Sequence, residues 1–137
     1  MIEFMISFMI RLRDNADALE HSALYDQLTD CKNRKALDWA YTEKLEKYFP
    51  LAVVMCDLNG LKEINDQKGH DAGDKSIVQA AQTLKSVFGK RHVYRLGGDE
   101  FIAVLPNITH PAFRKLLETA KSQLGATASL GTTISGT

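Results

Sequence analysis

Residues 95–101, "RLGGDEF", set Gly97 and Gly98 directly against two carboxylates, Asp99 and Glu100, with apolar runs on both sides. A third carboxylate, Asp57, closes the apolar run "LAVVMCD". If the two apolar runs are neighbouring strands, three carboxylates meet at one sheet edge. Like charges that close do not all stay ionised without compensation. A hard divalent cation such as Mg²⁺ compensates through oxygen ligands and keeps positions open for phosphate oxygens. The glycines suit such a site, because both tolerate positive φ and the missing Cβ lets a ligand lie on the backbone. Spacing alone leaves a second reading open, in which three independent solvated acids sit at strand ends; hairpins favour glycine in any case.

The elements that must position these residues follow from periodicity. "HVYRL" and "EFIAVLP" read as two strands joined across "GGD". "LAVVMCD" reads as a buried central strand. Between them, "LNGLKEINDQKGH" is a short helix or turn that stops at Gly69. "DAGDKSIVQAAQTLKSVFG" follows as a helix with Ile77, Ala80, Ala81, Leu84, Val87 and Phe88 at helical spacing and Gly89 as its stop. Upstream, Asn33 caps a helix whose apolar side is Ala36, Leu37, Ala40, Leu45 and Tyr48, ended by Pro50. Downstream, Thr109, Pro111 and Gly125 delimit a further helix, and "ATASLGTTISGT" closes as a strand. The expected architecture is an α/β (α+β) sandwich with an antiparallel-rich central sheet flanked by helices.

A chain of 137 residues holds one domain with a short appendage, and 45% hydrophobic with 25% charged residues is ordinary for a globular core. Seventeen basic residues balance 17 acidic ones, so no global field recruits nucleic acid or anionic lipid. Cys31 and Cys56 lie apart without CxxC spacing. That fits a reduced, cytoplasmic compartment, with Cys56 as a small core residue of its strand. The apolar start "MIEFMISFMIRLR" contains Glu3 and ends at Arg11, too short for a membrane span, and it lacks the basic start and cleavage site of a signal peptide. Ile2, Met5, Met9, Leu12, Ala16, Leu19 and Ala23 alternate in steps of three and four, a heptad seam. A coiled-coil helix and an amphipathic helix folded back on its own domain both fit this pattern. Phe4, Ile6, Phe8 and Ile10 lie off the seam, so the helix needs a partner or continues from an upstream segment.

Four stretches together resemble one known family, the GGDEF domain of diguanylate cyclases. "GGDEF" at residues 97–101 matches its signature letter for letter, and "DQLTDCKNR" at 26–34 resembles its D-x-L-T-x-x-x-N-R opening. "DLNGLKEINDQKGHDAGD" at 57–74 resembles its D-x-D-x-F-K-x-x-N-D-x-x-G-H-x-x-G-D block, and "TASLGTT" its later T-x-S-x-G strand. The resemblance implies a fold related to nucleotide cyclases and polymerase palm domains. It also implies condensation of two GTP into cyclic di-GMP, releasing two pyrophosphates, with Mg²⁺ (or Mn²⁺) at the interface of a homodimer. It divides the chain into an amphipathic, coiled-coil-like helix at 1–24, through which the dimer could form, and a GGDEF domain at 25–137. Carried over by residue, it implies metal ligation by Asp57, the Leu58 carbonyl, Asp99 and Glu100. Glu100 would also deprotonate the 3′-hydroxyl. It gives the guanine to Asn65 and Asp74, the phosphates to Lys62 and the amides around Gly60 and Leu61, and a place in the nucleotide pocket to His70. Gly97 and Gly98 would lie against the substrate, whereas Asp26, Thr29, Asn33 and Arg34 suit bracing through turns and caps.

Three features depart from the family pattern. Asn59 stands where many members have a second aspartate, and Gly60 where an aromatic is frequent. The stretch expected to carry the R-x-x-D product-inhibition motif reads "FGKR" at 88–91, so feedback by cyclic di-GMP there is not expected. Family members also continue beyond the "TASLGTT" strand into a helix and strand that supply a lysine and an arginine for the triphosphate. The sequence in hand ends at Thr137, ahead of both, and the resemblance therefore implies a weakened grip on GTP.

Overall fold

The computed structural model describes residues 1–136. Five strands form one sheet: β1 (Lys32–Asn33), β2 (Leu51–Leu58), β3 (Val93–Gly97), β4 (Glu100–Leu105) and β5 (Ala128–Ser135). Five α-helices accompany them: α1 (Ile2–Leu24), α2 (Arg34–Ala40), α3 (Leu61–Lys68), α4 (His70–Phe88) and α5 (His110–Leu124). The strand order is β1-β3-β4-β2-β5, with every pairing antiparallel except β1 with β3. The α+β architecture read from the sequence is the one observed, and β2 lies directly beside β4.

The period-2 pattern of β2 sends Ala52, Val54, Cys56 and Leu58 into the main core, where they meet Ile77, Ala81 and Leu84 of α4 and Phe113, Ala120 and Leu124 of α5. Cys31 and Cys56 are both free and buried, and burial pushes the Cys56 thiol up to about 11. The opposite face packs Leu51, Tyr94 and Val104 under Ala36 and Leu37 of α2. Asn33 caps α2 as expected, its side chain accepting from the Ala36 amide at 3.0 Å. The Thr109 hydroxyl caps α5 in the same way.

One helix differs from the sequence reading. Rather than running on to Pro50, α2 stops at Ala40, and Leu45–Tyr48 form a separate 3₁₀ turn. The bend brings the Tyr41 and Tyr48 rings edge to face at 4.9 Å, both packed against the second core. Packing of two aromatic rings on the sheet outweighs the weak local preference for continuing the helix.

Helix α1 is continuous and stands away from the sheet, exposed from Ile2 through Ala23. The alternative of a helix folded back on its own core is therefore not what the chain adopts. Its C-terminal end is secured by Asn33, whose amide donates to the Ala23 carbonyl at 2.8 Å, and by a stack of His21 on Tyr25 at 4.3 Å. No helix among the described residues is long and apolar enough to cross a membrane.

Candidate active site

Register places the carboxylates. Asp57 on β2 is the direct cross-strand partner of Glu100 on β4, and Asp99 occupies the loop between β3 and β4. One carboxylate oxygen from each of Asp57, Asp99 and Glu100 lies within 4.8 Å of the others. Like charges directly opposite on a sheet destabilise it, and among the described residues none of the three is ion-paired. The donor set is all hard oxygen, which is the chemistry that holds Mg²⁺ or Mn²⁺ rather than a soft metal.

The loop itself is built around the glycines in unequal ways. Gly98 takes a left-handed φ of +35°. Gly97, which tolerates the same freedom, does not use it. It pairs with Glu100 across a register shift after Arg95, so a bulge accommodates it instead. A Cβ on either glycine would meet nothing within 4 Å, so the turn is open above its backbone.

Two anchors fix this edge. The Leu58 amide donates to the Asp99 carbonyl at 3.1 Å, stitching the end of β2 to the hairpin loop. The Arg95 guanidinium donates to the Gly98 carbonyl at 2.8 Å and 3.2 Å and to both carboxylate oxygens of Asp26, at 3.1 Å and 3.0 Å. Thr29 completes the node, donating its amide and hydroxyl to Asp26 at 2.9 Å and 2.8 Å. Burial raises the Asp26 carboxyl, but the bonds from Thr29 and Arg95 outweigh it and hold the group below the usual carboxylate value. Asp26 and Thr29 thus brace the fold, as their types suggested. Arg95 had no role assigned from sequence, and its only signal was a basic residue just ahead of an acidic turn.

Asn59, which departs from the family pattern, is a bracket. Its amide donates to the Ala126 carbonyl at 3.0 Å and accepts from the Ser129 hydroxyl at 2.9 Å, while its backbone N–H donates to the Thr127 carbonyl at 2.8 Å. The peptide carrying the Leu58 carbonyl is therefore tied on both sides. Gly60 follows in the left-handed region, φ +69°, and turns the chain into α3.

The remaining expected residues sit on α3 and α4. Leu61 is half-buried against the core, and Lys62 is exposed on the first turn of α3. Asn65 is half-buried with its amide against the backbone of α4: a Cβ at Gly73 would fall 1.7 Å from Asn65 Oδ1. Asp74 is the next residue, and His70 opens α4; both are exposed. A cleft of about 370 Å³ lies beside the C-terminal end of β2, lined by Leu58, Asn59, Leu61 and Ile64 together with residues of α4 and α5. Neither the three carboxylates nor Lys62, Asn65, His70 and Asp74 line that cleft. The carboxylates and Leu58 are thus brought together, while the base-contacting candidates form a second group around the α3–α4 junction.

The family model "Diguanylate cyclase, GGDEF domain" matches residues 23–133. The chain is 36% identical over 110 residues to the diguanylate cyclase TpbB of Pseudomonas aeruginosa, covering 77% of this chain and 25% of that protein. It is 35% identical over 107 residues to the cyclic di-GMP phosphodiesterase PdeB of Shewanella oneidensis, covering 77% of this chain and 12% of that one. The chain therefore spans a quarter or less of the length of these relatives. Among solved structures, the coiled coil and GGDEF domain of DgcB from Caulobacter crescentus, in complex with c-di-GMP, superposes with a TM-score of 0.84 at 24% identity. That match covers 98% of this chain and 81% of the DgcB chain, and it speaks to the fold.

Proposed function

Since the chain belongs to the diguanylate cyclase GGDEF-domain family, we propose that it binds GTP with a divalent cation and, as a homodimer, condenses two GTP into cyclic di-GMP. The observation that supports this best is the convergence of Asp57, Asp99 and Glu100 within 4.8 Å at an open, glycine-lined turn. Those three carboxylates, with the Leu58 carbonyl, would hold Mg²⁺ or Mn²⁺. Such an ion neutralises charge on the phosphates and on the leaving pyrophosphate.

The chain's own residues do the rest. Glu100 takes the proton of the 3′-hydroxyl. The freed oxygen bonds to the α-phosphorus of the nucleotide on the facing protomer, the α–β phosphoanhydride bond breaks, and pyrophosphate leaves. Repetition from the other side closes the ring and releases the second pyrophosphate. Lys62 and the amides at Gly60 and Leu61 hold phosphate oxygens, His70 lies beside the nucleotide, and Asn65 and Asp74 select guanine. A carboxylate facing the guanine N1–H and amino group rejects adenine, which lacks that donor pair. The seam on α1 brings the protomers together.

The test is incubation of the purified chain with GTP and Mg²⁺, with chromatography of the products. Cyclic di-GMP formation supports the reading, and binding of Mg²⁺·GTP without product supports a narrower one. That second reading, a nucleotide-binding or dimerising module, is favoured by the 35% identity to a protein named for the opposing phosphodiesterase activity.

A further inference from the structure

Over its first three turns α1 carries more apolar surface than pairing with a second helix covers. With the seam residues as alternating a and d positions, Ile6 falls at e and Phe8 at g, flanking the seam, but Phe4 falls at c and Ile10 at b. Positions b and c face away from a two-stranded coil. Phe4 is nonetheless 75% exposed and Ile10 46% exposed. From Arg11 through Ser22 the off-seam positions turn polar (Arg11, Arg13, Asp14, Asn15, Asp17, Glu20, His21, Ser22), with Ala18 a small exception, and Leu24 packs against the domain. The excess apolar surface is confined to residues 1–10, and a pair of arginines borders it.

A helical segment apolar over most of its circumference is buried, in a core or in lipid. The acidic Glu3 inside the run suits a core-edge or interfacial helix rather than a span. The core is excluded, because α1 is exposed from Ile2 through Ala23. Glu3, Ser7 and Arg11 recur every fourth residue, a narrow polar strip that can stay in water while the remaining circumference sinks into acyl chains. Arg11 and Arg13 then reach the headgroup level, where guanidiniums pair with phosphates and their stems lie along hydrocarbon.

We propose that residues 1–10 of α1 dock into the interfacial layer of an anionic bilayer, with Arg11 and Arg13 on lipid phosphates, while the seam from Leu12 to Ala23 remains free to pair. The docking is local and needs no net charge on the chain, whose 17 basic and 17 acidic residues balance.

The experiment is flotation of the whole chain with vesicles of phosphatidylcholine and phosphatidylglycerol in equal parts, and with phosphatidylcholine alone. The parent should float with both, more strongly with the anionic vesicles. Phe4→Ser with Ile10→Ser leaves the seam intact and should lower partitioning by about a hundredfold or more, from the loss of two buried side chains, without changing the sedimentation mass. Arg11→Gln with Arg13→Gln should lose roughly tenfold or more on anionic vesicles only. A parent that stays off both kinds of vesicle overturns the proposal. So does a Phe4/Ile10 variant that floats like the parent but sediments as a smaller assembly, because those side chains would then be buried in a protein bundle. Circular dichroism of each variant establishes that it is folded.

Discussion

Arg95 grips Asp26 and the Gly98 carbonyl at once: its guanidinium lies 3.0 Å from one carboxylate oxygen and 2.8 Å from the carbonyl oxygen. Asp26 follows the end of α1 by two residues, and Gly98 immediately precedes Asp99. The side chains are only 13% and 23% exposed, so solvent screens the pair little. Arg95→Ala should therefore destabilise the fold by about 1.5–3 kcal/mol in urea denaturation, the range for hydrogen bonds to charged groups. It should also weaken Mg²⁺-dependent GTP binding. Arg95→Lys should rescue neither effect fully, because an ammonium cannot reproduce the fork.

Acid should act through the same pair. The folded-state pKa of Asp26 lies below its ordinary 3.8, so the folded protein keeps this group ionised where the unfolded chain has protonated it. Its contribution is fully present above that ordinary value and is lost as pH falls through the depressed folded value. Asp26→Asn should flatten stability against pH in that acid window and leave the slope near neutrality unchanged. Parallel urea titrations at stepwise lower pH measure this, and identical acid slopes would assign the acid sensitivity to other carboxylates.

The carboxylate cluster should reveal itself through opposite effects on stability and binding. Asp57→Asn or Asp99→Asn removes like-charge repulsion, so thermal stability without divalent cation should hold or rise by up to about 1 kcal/mol. The Tm increase on adding Mg²⁺ should disappear in both variants. A variant that keeps the full Mg²⁺-induced shift would leave three independent surface acids.

Gly73→Ala sets helix propensity against packing. Alanine favours an exposed helix by about 1 kcal/mol over glycine, yet its Cβ would fall 1.7 Å from Asn65 Oδ1. Net destabilisation of about 1–3 kcal/mol is expected, along with weaker discrimination of GTP from ATP in competition titrations. Adding Asn65→Ala should restore stability but not selectivity.

Asn59→Ala and Ser129→Ala cut the same bracket from two elements. Each should raise the Mg²⁺ concentration needed for half-maximal GTP binding, and the double variant should be less than additive. Additive effects would mean the two side chains act separately.

The positions of the carboxylates were legible because continuous apolar runs marked β2 and β4, and a glycine pair marked the turn between β3 and β4. The caps at Asn33 and Thr109 were legible because they act within three residues. Arg95 was not, since its carboxylate partner lies 69 residues away and nothing local pairs them. Asn59 read as a departure because its partners, Ala126, Thr127 and Ser129, come from the far end of the chain. The break after Ala40 escaped because Leu45 and Tyr48 keep helical spacing across it, and only the sheet beneath explains the bend.

Pairing of Asp57 with Glu100 makes the site a check on the fold itself. Side chains alternate faces along a strand, so a slip of β2 by one residue would carry Asp57 into the layer now held by Cys56 and face Cys56 toward Glu100. The three carboxylates share one spot in a single register only. A divalent cation held by all three would therefore double as a proofreading signal, lost in mispaired chains even where secondary-structure content is native.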